Sequence, residues 1–195
     1  MEEEQRRILV AVDEGEESMY ALSWCLKNLS FQNSKDTLVL LYVKPPRVVY
    51  SAFDGTGYLF SSDITATMER YSQQIADTVI QKAKNICNHV ENVPILIPTF
   101  SINYYTLVTL HLCISSSFFL FFPMLVKLET RVENGDPRDM ICQMVQRLGV
   151  DVLVMGSHGY GLIKRAFLGS VSNHCAQNVK CPVLIVKKPK PAGEE

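Results

Sequence analysis

The sequence predicts an α/β fold, a parallel sheet covered by helices on both faces. Three observations carry this expectation. Short, continuous apolar runs rich in β-branched residues recur at RILVAV (7–12), DTLVLLYV (36–43), DVLVMG (151–156) and PVLIV (182–186), the pattern of strands buried on both faces. Segments with apolar residues at helical spacing separate them. Strands and helices therefore alternate along the chain, which calls for a parallel sheet with right-handed crossovers.

Each element has a local reason. Arg7 to Val12 is a central strand. After Asp13, Met19, Leu22, Leu26 and Leu29 form one helical stripe behind acidic residues that suit a helix N-terminus. Asp36 to Val43 is a second buried strand, stopped by Lys44-Pro45-Pro46. A loop with Gly55 and Gly57 leads to a long helix starting near Ser61 to Asp63. KLETRVENG (127–135) alternates as a strand with one less buried face. Asp136 as N-cap and Pro137 in the first turn open a helix whose stripe is Met140, Ile141, Met144, Val145 and Leu148, and Gly149 closes it. GSVSNHCAQNV (169–179) is a further helix. CPVLIVKK (181–188) is the last strand, with Pro182 at its start where a missing donor is tolerated.

Composition narrows the function classes. At 195 residues the chain is a single domain, 1–195, large enough for a real core. Nineteen basic and twenty acidic residues give a net charge of -1, so no global field draws it to nucleic acid or an anionic membrane. The N-terminus MEEEQRRILVAVDE lacks the order of a signal peptide, which makes the reducing cytoplasm, with the nucleus beside it, the expected compartment. Six cysteines and four histidines show neither CxxC pairs nor zinc-like spacing, so the cysteines read as small core residues and no metal site is expected.

One stretch is foreign to the rest. Pro94 to Val126 carries no Asp, Glu, Lys or Arg, and all 39 such residues lie on the other 162. About 20 apolar residues suffice to span a bilayer. However, this segment separates the second helix from the third strand, so one crossing would place two halves of a sheet on opposite sides of a membrane. Asn103, His111 and seven Ser or Thr residues between Thr99 and Phe122, with Pro98 and Pro123 around them, also suit hydrocarbon poorly. We expect an insertion into the domain, with membrane association the minor alternative. The amino acids of SSSFFLFFP (115–123) can all be encoded by pyrimidine-rich codons, as in a retained intron.

MGSHGYGLIKRAFLGSVS (155–172) points most directly to function. Glycines stand at 156, 159, 161 and 169, with hydroxyl residues after the last. A glycine-rich turn between a strand and a helix presents bare N–H groups and the positive end of a helix dipole, which together suit phosphate. Open α/β sheets bind ligands beyond the carboxyl ends of their strands, where strand order reverses. Asp13 and Gly156 follow the two most apolar strands, the best candidates for adjacent central positions. Asp13 is expected to accept hydrogen bonds from ribose or adenine, and Ser170 and Ser172 to add hydroxyl donors. Glycines also end strands and turn corners without a ligand. GxxxxGK[ST] is absent and GxGxxG does not follow the first strand. Lys164 and Arg165 read equally as phosphate contacts and as solvated charges.

Gly156-x2-Gly159-x9-Gly169-Ser170, with DVLVM before it and VSNHCAQNVKCPVLIVK after it, resembles the nucleotide-binding signature of the universal stress protein family. Together with ILVAVDEGEES and ENGDPRDMICQMV, it is similar to the small plant members of its ATP-binding branch. The resemblance covers Arg7 to Val93 and Lys127 to Lys188. It implies a Rossmann-like, adenine nucleotide alpha hydrolase-like sheet of five parallel strands in the order 3-2-1-4-5. It implies binding of ATP or AMP, with Mg on the phosphates. Carried over by position, Val12 and Asp13 meet the adenosine and Val43 flanks the base. Met155, Gly156, Gly159, Gly169, Ser170, Val171 and Ser172 line ribose and phosphates, while Ser157 and His158 fill the free motif positions. The family also implies a homodimer through Pro182 to Val186, an apolar edge strand that needs cover.

Catalysis is expected to be weak or absent. Adjacent Ser157 and His158 on an extended turn should point apart, and the GxSxG elbow is missing because Met155 stands where glycine is needed. The expectation is therefore a nucleotide-binding regulatory protein of the stress response. A slow ATPase or phosphotransferase is the first alternative, and a nucleotide-free chaperone or partner-binding module the second.

Overall fold

The computed structural model describes residues 5–29, 36–46, 62–89, 95–96, 126–158 and 168–189. Its elements, in chain order, are β1 (Arg7–Ala11), α1 (Glu16–Asn28), β2 (Thr37–Lys44), α2 (Ser62–His89), β3 (Ile95–Leu96), β4 (Val126–Asn134), α3 (Pro137–Leu148), β5 (Val152–Gly156), α4 (Ser170–Asn178) and β6 (Val183–Val186). The sheet runs β3-β4-β2-β1-β5-β6 and every pairing is parallel. Counted over the five longer strands, this is the order 3-2-1-4-5. β1 pairs with β2 on one side and β5 on the other, so the order reverses at β1.

Pleating divides β1 and β2 between two cores. Ile8, Val10, Leu38, Leu40 and Tyr42 pack with Met19, Leu22 and Leu26 of α1 and with Ala76, Val79 and Ala83 of α2. Leu9, Ala11, Val39, Leu41 and Val43 pack with Ile141, Met144 and Val145 of α3 and with Cys175 of α4. Each fully buried side chain of this size contributes about 1.5–3 kcal/mol, and Ile8, Leu9, Leu22, Leu38, Leu40 and Leu153 are completely inaccessible. Burial pushes the thiols of Cys25, Cys87 and Cys175 up to about 12, so they serve as small apolar residues. Cys113 and the loop with Gly55 and Gly57 lie outside the described residues.

The expected boundaries of α3 coincide with its caps. Asp136 accepts from the Arg138 amide, Pro137 is the first helical residue, and Gly149 closes the helix at φ 60°. The Arg138 guanidinium and amide hold the Asp136 carboxyl down at about 2. Beneath the sheet, Arg7 donates to the Leu148 carbonyl at 2.7 Å and its amide donates to Asp151 at 2.7 Å. These contacts tie β1 to the end of α3.

The uncharged stretch enters the sheet at its edge. Ile95 pairs with Val126 and Leu96 with Lys127, so the chain on either side of residues 97–125 lies at one sheet edge. Val126, assigned to the insertion by sequence, is the first residue of β4 and is buried. β4 is held chiefly by eight registered pairs with β2. No helix among the described residues is long and apolar enough to cross a membrane.

Two glycines of the motif stand where packing leaves little space for a side chain. A Cβ on Gly156 would lie 3.0 Å from the Glu17 carbonyl carbon and 3.0 Å from the Ser18 nitrogen, the backbone of α1. A Cβ on Gly169 would lie 3.1 Å from the Ser157 oxygen and 3.3 Å from the His158 Cα. Gly156→Val should therefore lower the melting temperature of the ligand-free protein by several degrees, as expected for overpacking of about 1–3 kcal/mol, and Gly169→Val should do so to a smaller extent. Ligand-free melting curves check this. A Gly156→Val protein that melts with the wild type would show that α1 does not bear on β5 this closely.

Candidate functional site

Beyond the carboxyl ends of β1, β2 and β5 lies a cavity of about 600 Å³, within the range of small-molecule sites. The strands supply its floor through Ala11, Val12, Leu41, Val43 and Met155, and α3 supplies one wall through Pro137 and Ile141. Of the residues expected from sequence, Val12, Asp13, Val43, Met155, Gly156, His158, Gly169, Ser170, Val171 and Ser172 all line it. Ser157 is not among its lining residues. Gly159, Gly161, Lys164 and Arg165 lie outside the described residues.

Among the described residues the N-termini of α1, α3 and α4 approach this space, and their chemistry differs: that of α3 is capped by Asp136 and opens with Pro137. α1 begins after Gly15 and carries Glu16 and Glu17 in its first turn, which complement its dipole internally. α4 begins after Gly169, has no side-chain cap and has no acid in its first turn. Among the described residues no acceptor meets its first amides, which suits them to an external anion. Ser170, at its first position, is exposed on the cavity wall. Sequence reasoning read both Ser170 and Ser172 as donors to phosphate. The Ser172 hydroxyl is instead buried and directed at backbone, 2.9 Å from the Gly169 carbonyl and 3.0 Å from that of Ser157.

Asp13 is fixed as it leaves β1. One carboxylate oxygen accepts from the Gly15 amide at 2.9 Å and from the Ser18 hydroxyl at 2.5 Å, while the Asp13 amide donates to Ser18 Oγ at 3.0 Å. This Asx turn carries the chain from strand to helix. Among the described residues the other oxygen has no hydrogen bond, which leaves acceptor capacity for sugar hydroxyls. At the end of β2, the Tyr42 hydroxyl donates to Glu14 at 2.6 Å, and both residues line the cavity. Sequence reasoning missed Glu14, Ser18 and Tyr42. Only Ser18 had a local signal, a hydroxyl five residues after an aspartate at a strand-to-helix turn.

The turn after β5 departs from expectation. Ser157 and His158 do not point apart, because Ser157 Oγ lies 3.1 Å from His158 Nδ1. A carboxylate from another element explains this: Glu17 accepts from the Ser157 hydroxyl at 2.5 Å and from the His158 amide at 3.1 Å. Ser157 is buried with its proton committed to Glu17, so the pair is not an exposed nucleophile with its base. Cys175, beneath α4, is held protonated by burial and by its neighbour Cys142. Among the described residues no group of three or more His, Cys, Asp or Glu side chains could hold a metal.

Comparison with known proteins places this arrangement. The universal stress protein family model matches residues 4–92 and 121–187. The chain is 27% identical over 191 residues to the universal stress protein PHOS32 of Arabidopsis thaliana, covering 95% of this chain and 66% of that one. It is 43% identical over 60 residues to a universal stress protein A-like protein of Arabidopsis thaliana, covering 31% and 34%. The chain thus spans between about a third and two thirds of the length of these relatives. Among solved structures, a universal stress protein family member from Arabidopsis thaliana with AMP bound superposes with a TM-score of 0.54 at 18% identity, covering 96% of this chain and 97% of that one. A universal stress protein in complex with cAMP gives 0.54 at 17% identity, covering 93% and 96%. These likenesses show a shared fold, and the family model extends over most of the sequence on both sides of the uncharged stretch: the chain belongs to the universal stress protein family.

Proposed function

We propose that this chain binds an adenine nucleotide, ATP or AMP, in the cavity at the head of the sheet and acts as a regulatory binding protein of the stress response. The uncapped N-terminus of α4 carries this reading, because it opens into the same space as Asp13 and the apolar end of β2. Phosphate would meet the first amides of α4, ribose would meet Asp13, and the base would lie against Val43 and Ile141. The AMP and cAMP complexes of proteins with this fold support an adenine ligand. Mg would ride on the phosphates of ATP, with Asp13 and Glu14 the carboxylates of the cavity wall that could offer it a ligand. No activated nucleophile faces the cavity among the described residues, which favours binding over turnover.

Ligand at a hundredfold excess over Kd should stabilise the protein by about 2.7 kcal/mol, a melting shift of roughly 5 to 10 °C at this size. Ser170→Asp tests the phosphate position without overpacking the loop, since a carboxylate there suits the helix dipole but repels phosphate. It should keep the ligand-free melting temperature and lose the shift. Melting curves unmoved by ATP, ADP and AMP alike would remove the proposal, and single-turnover hydrolysis with Mg would reveal any ATPase.

We further propose that residues 94–125 are dispensable to this site and that two copies pair through β6. β4 keeps its eight pairs with β2 once β3 is gone, and the edge so exposed carries Lys127, Glu129, Arg131 and Glu133, which discourage edge-to-edge pairing. β6 is the opposite edge, and its Val183, Leu184 and Ile185 are only half-buried. The chain lacking 94–125 should give more soluble protein, bind AMP with unchanged affinity and scatter light as a dimer, which Leu184→Glu converts to a monomer. Loss of AMP binding on deletion, or a monomer at high concentration before any substitution, would contradict the respective half.

A further inference from the structure

The turn from Gly156 to His158 is where β5, α1 and α4 meet. On one side, α1 touches it through the backbone at Gly156 and through the Glu17 carboxylate. On the other, the Ser157 carbonyl accepts from the Gly169 amide at 2.8 Å and from the Ser172 hydroxyl at 3.0 Å. The Ser157 amide donates in turn to the Val186 carbonyl of β6 at 3.0 Å. The position of α4's N-terminus is thus referred to Ser157, and Ser157 is referred to Glu17.

The direction of the side-chain bonds follows from valence. A glutamate carboxylate at neutral pH only accepts, so the single Ser157 proton goes to Glu17 Oε2 at 2.5 Å. The Ser157 oxygen can then only accept from His158 Nδ1, which must carry a proton. Glu17 Oε2 also lies 3.5 Å from that nitrogen. Glu17 does not line the cavity, whereas His158 does.

We propose that Glu17 is a positioning residue for the nucleotide site. Its carboxylate fixes the turn after β5, orients the His158 ring through Ser157, and so sets the distance between the α4 amides and the ends of β1 and β2. The proposal rests on the reading of the cavity as a nucleotide site, and by it the first turn of α1 would act on phosphate affinity through the turn after β5. A group holding others in their binding geometry acts by preorganisation.

The test combines calorimetry with AMP, ligand-free melting curves and the imidazole nitrogen resonances of His158. Glu17→Ala should weaken AMP binding about ten- to a hundredfold, the loss of hydrogen bonds to a charged group, while the ligand-free melting temperature moves by only a few degrees. Glu17→Gln should recover part of the affinity, because the amide oxygen still accepts from Ser157 and the His158 amide. Ser157→Ala should add little to Glu17→Ala. His158 should be protonated at Nδ1 in the wild type and lose that bias in Glu17→Ala. Unchanged affinity in Glu17→Ala would overturn the proposal, as would affinity and melting temperature falling together with Gln no better than Ala. Should the wild type not bind AMP, the nucleotide reading fails by itself, and the His158 resonances alone then judge the clamp: a bias that survives Glu17→Ala overturns it.

Discussion

The structure depends on a backbone contact at Gly156. The end of β5 meets the first turn of α1 so closely that a methyl group would have to push the helix backbone aside, the nearest α1 backbone atoms standing 3.0 Å from where a Cβ would be. Because β5 is registered against β1 from Ile8↔Val152 to Val10↔Val154, this contact also settles how α1 leaves β1. The Asx turn at Asp13, the Glu17 carboxylate and the turn from Ser157 onward all follow from it. The second glycine contact, Gly169 against the Ser157 oxygen, passes the same constraint on to α4.

From that arrangement comes a cavity in which main-chain amides of α4 meet the side chains of Asp13, Glu14 and His158. The helix dipoles are treated differently: α1 meets its own Glu16 and Glu17 and α3 its own Asp136 and Asp139, while the first turn of α4 carries no acid. Uncapped amides favour an anion without the desolvation cost of a buried lysine. Asp13 holds one carboxylate oxygen in the turn and, among the described residues, keeps acceptor capacity on the other. Ser157 and Cys175 are committed to the scaffold: the Ser157 proton goes to Glu17 and the Cys175 thiol is buried.

Much of this was legible in the sequence where the signal was local. Asp136, Pro137 and Gly149 mark both ends of α3 because caps are read from single residues. The apolar runs of β1, β2 and β5 mark buried strands because both faces are covered. Contacts between distant residues were not legible. Glu17 looks like an ordinary first-turn acid until the turn after β5 is laid beside it, 140 residues further on. Gly156 and Gly169 read as clearance for a ligand, whereas the atoms nearest their missing side chains are protein backbone. Ser172 read as a phosphate donor because its hydroxyl is near a helix start, yet its proton is directed at backbone. β3 escaped notice because two residues inside an uncharged stretch carry no pattern of their own.

The central claim is that an adenine nucleotide sits between the amides opening α4 and the ends of β1 and β2. Backbone amide resonances followed during titration with AMP test it most directly. The account predicts the largest changes at Ser170, Val171 and Ser172, accompanied by Asp13 and Val43, with the outward face of α2 around Met68 and Tyr71 unmoved. A saturable titration that leaves the first turn of α4 unshifted, or that moves the face of α2 instead, would contradict it.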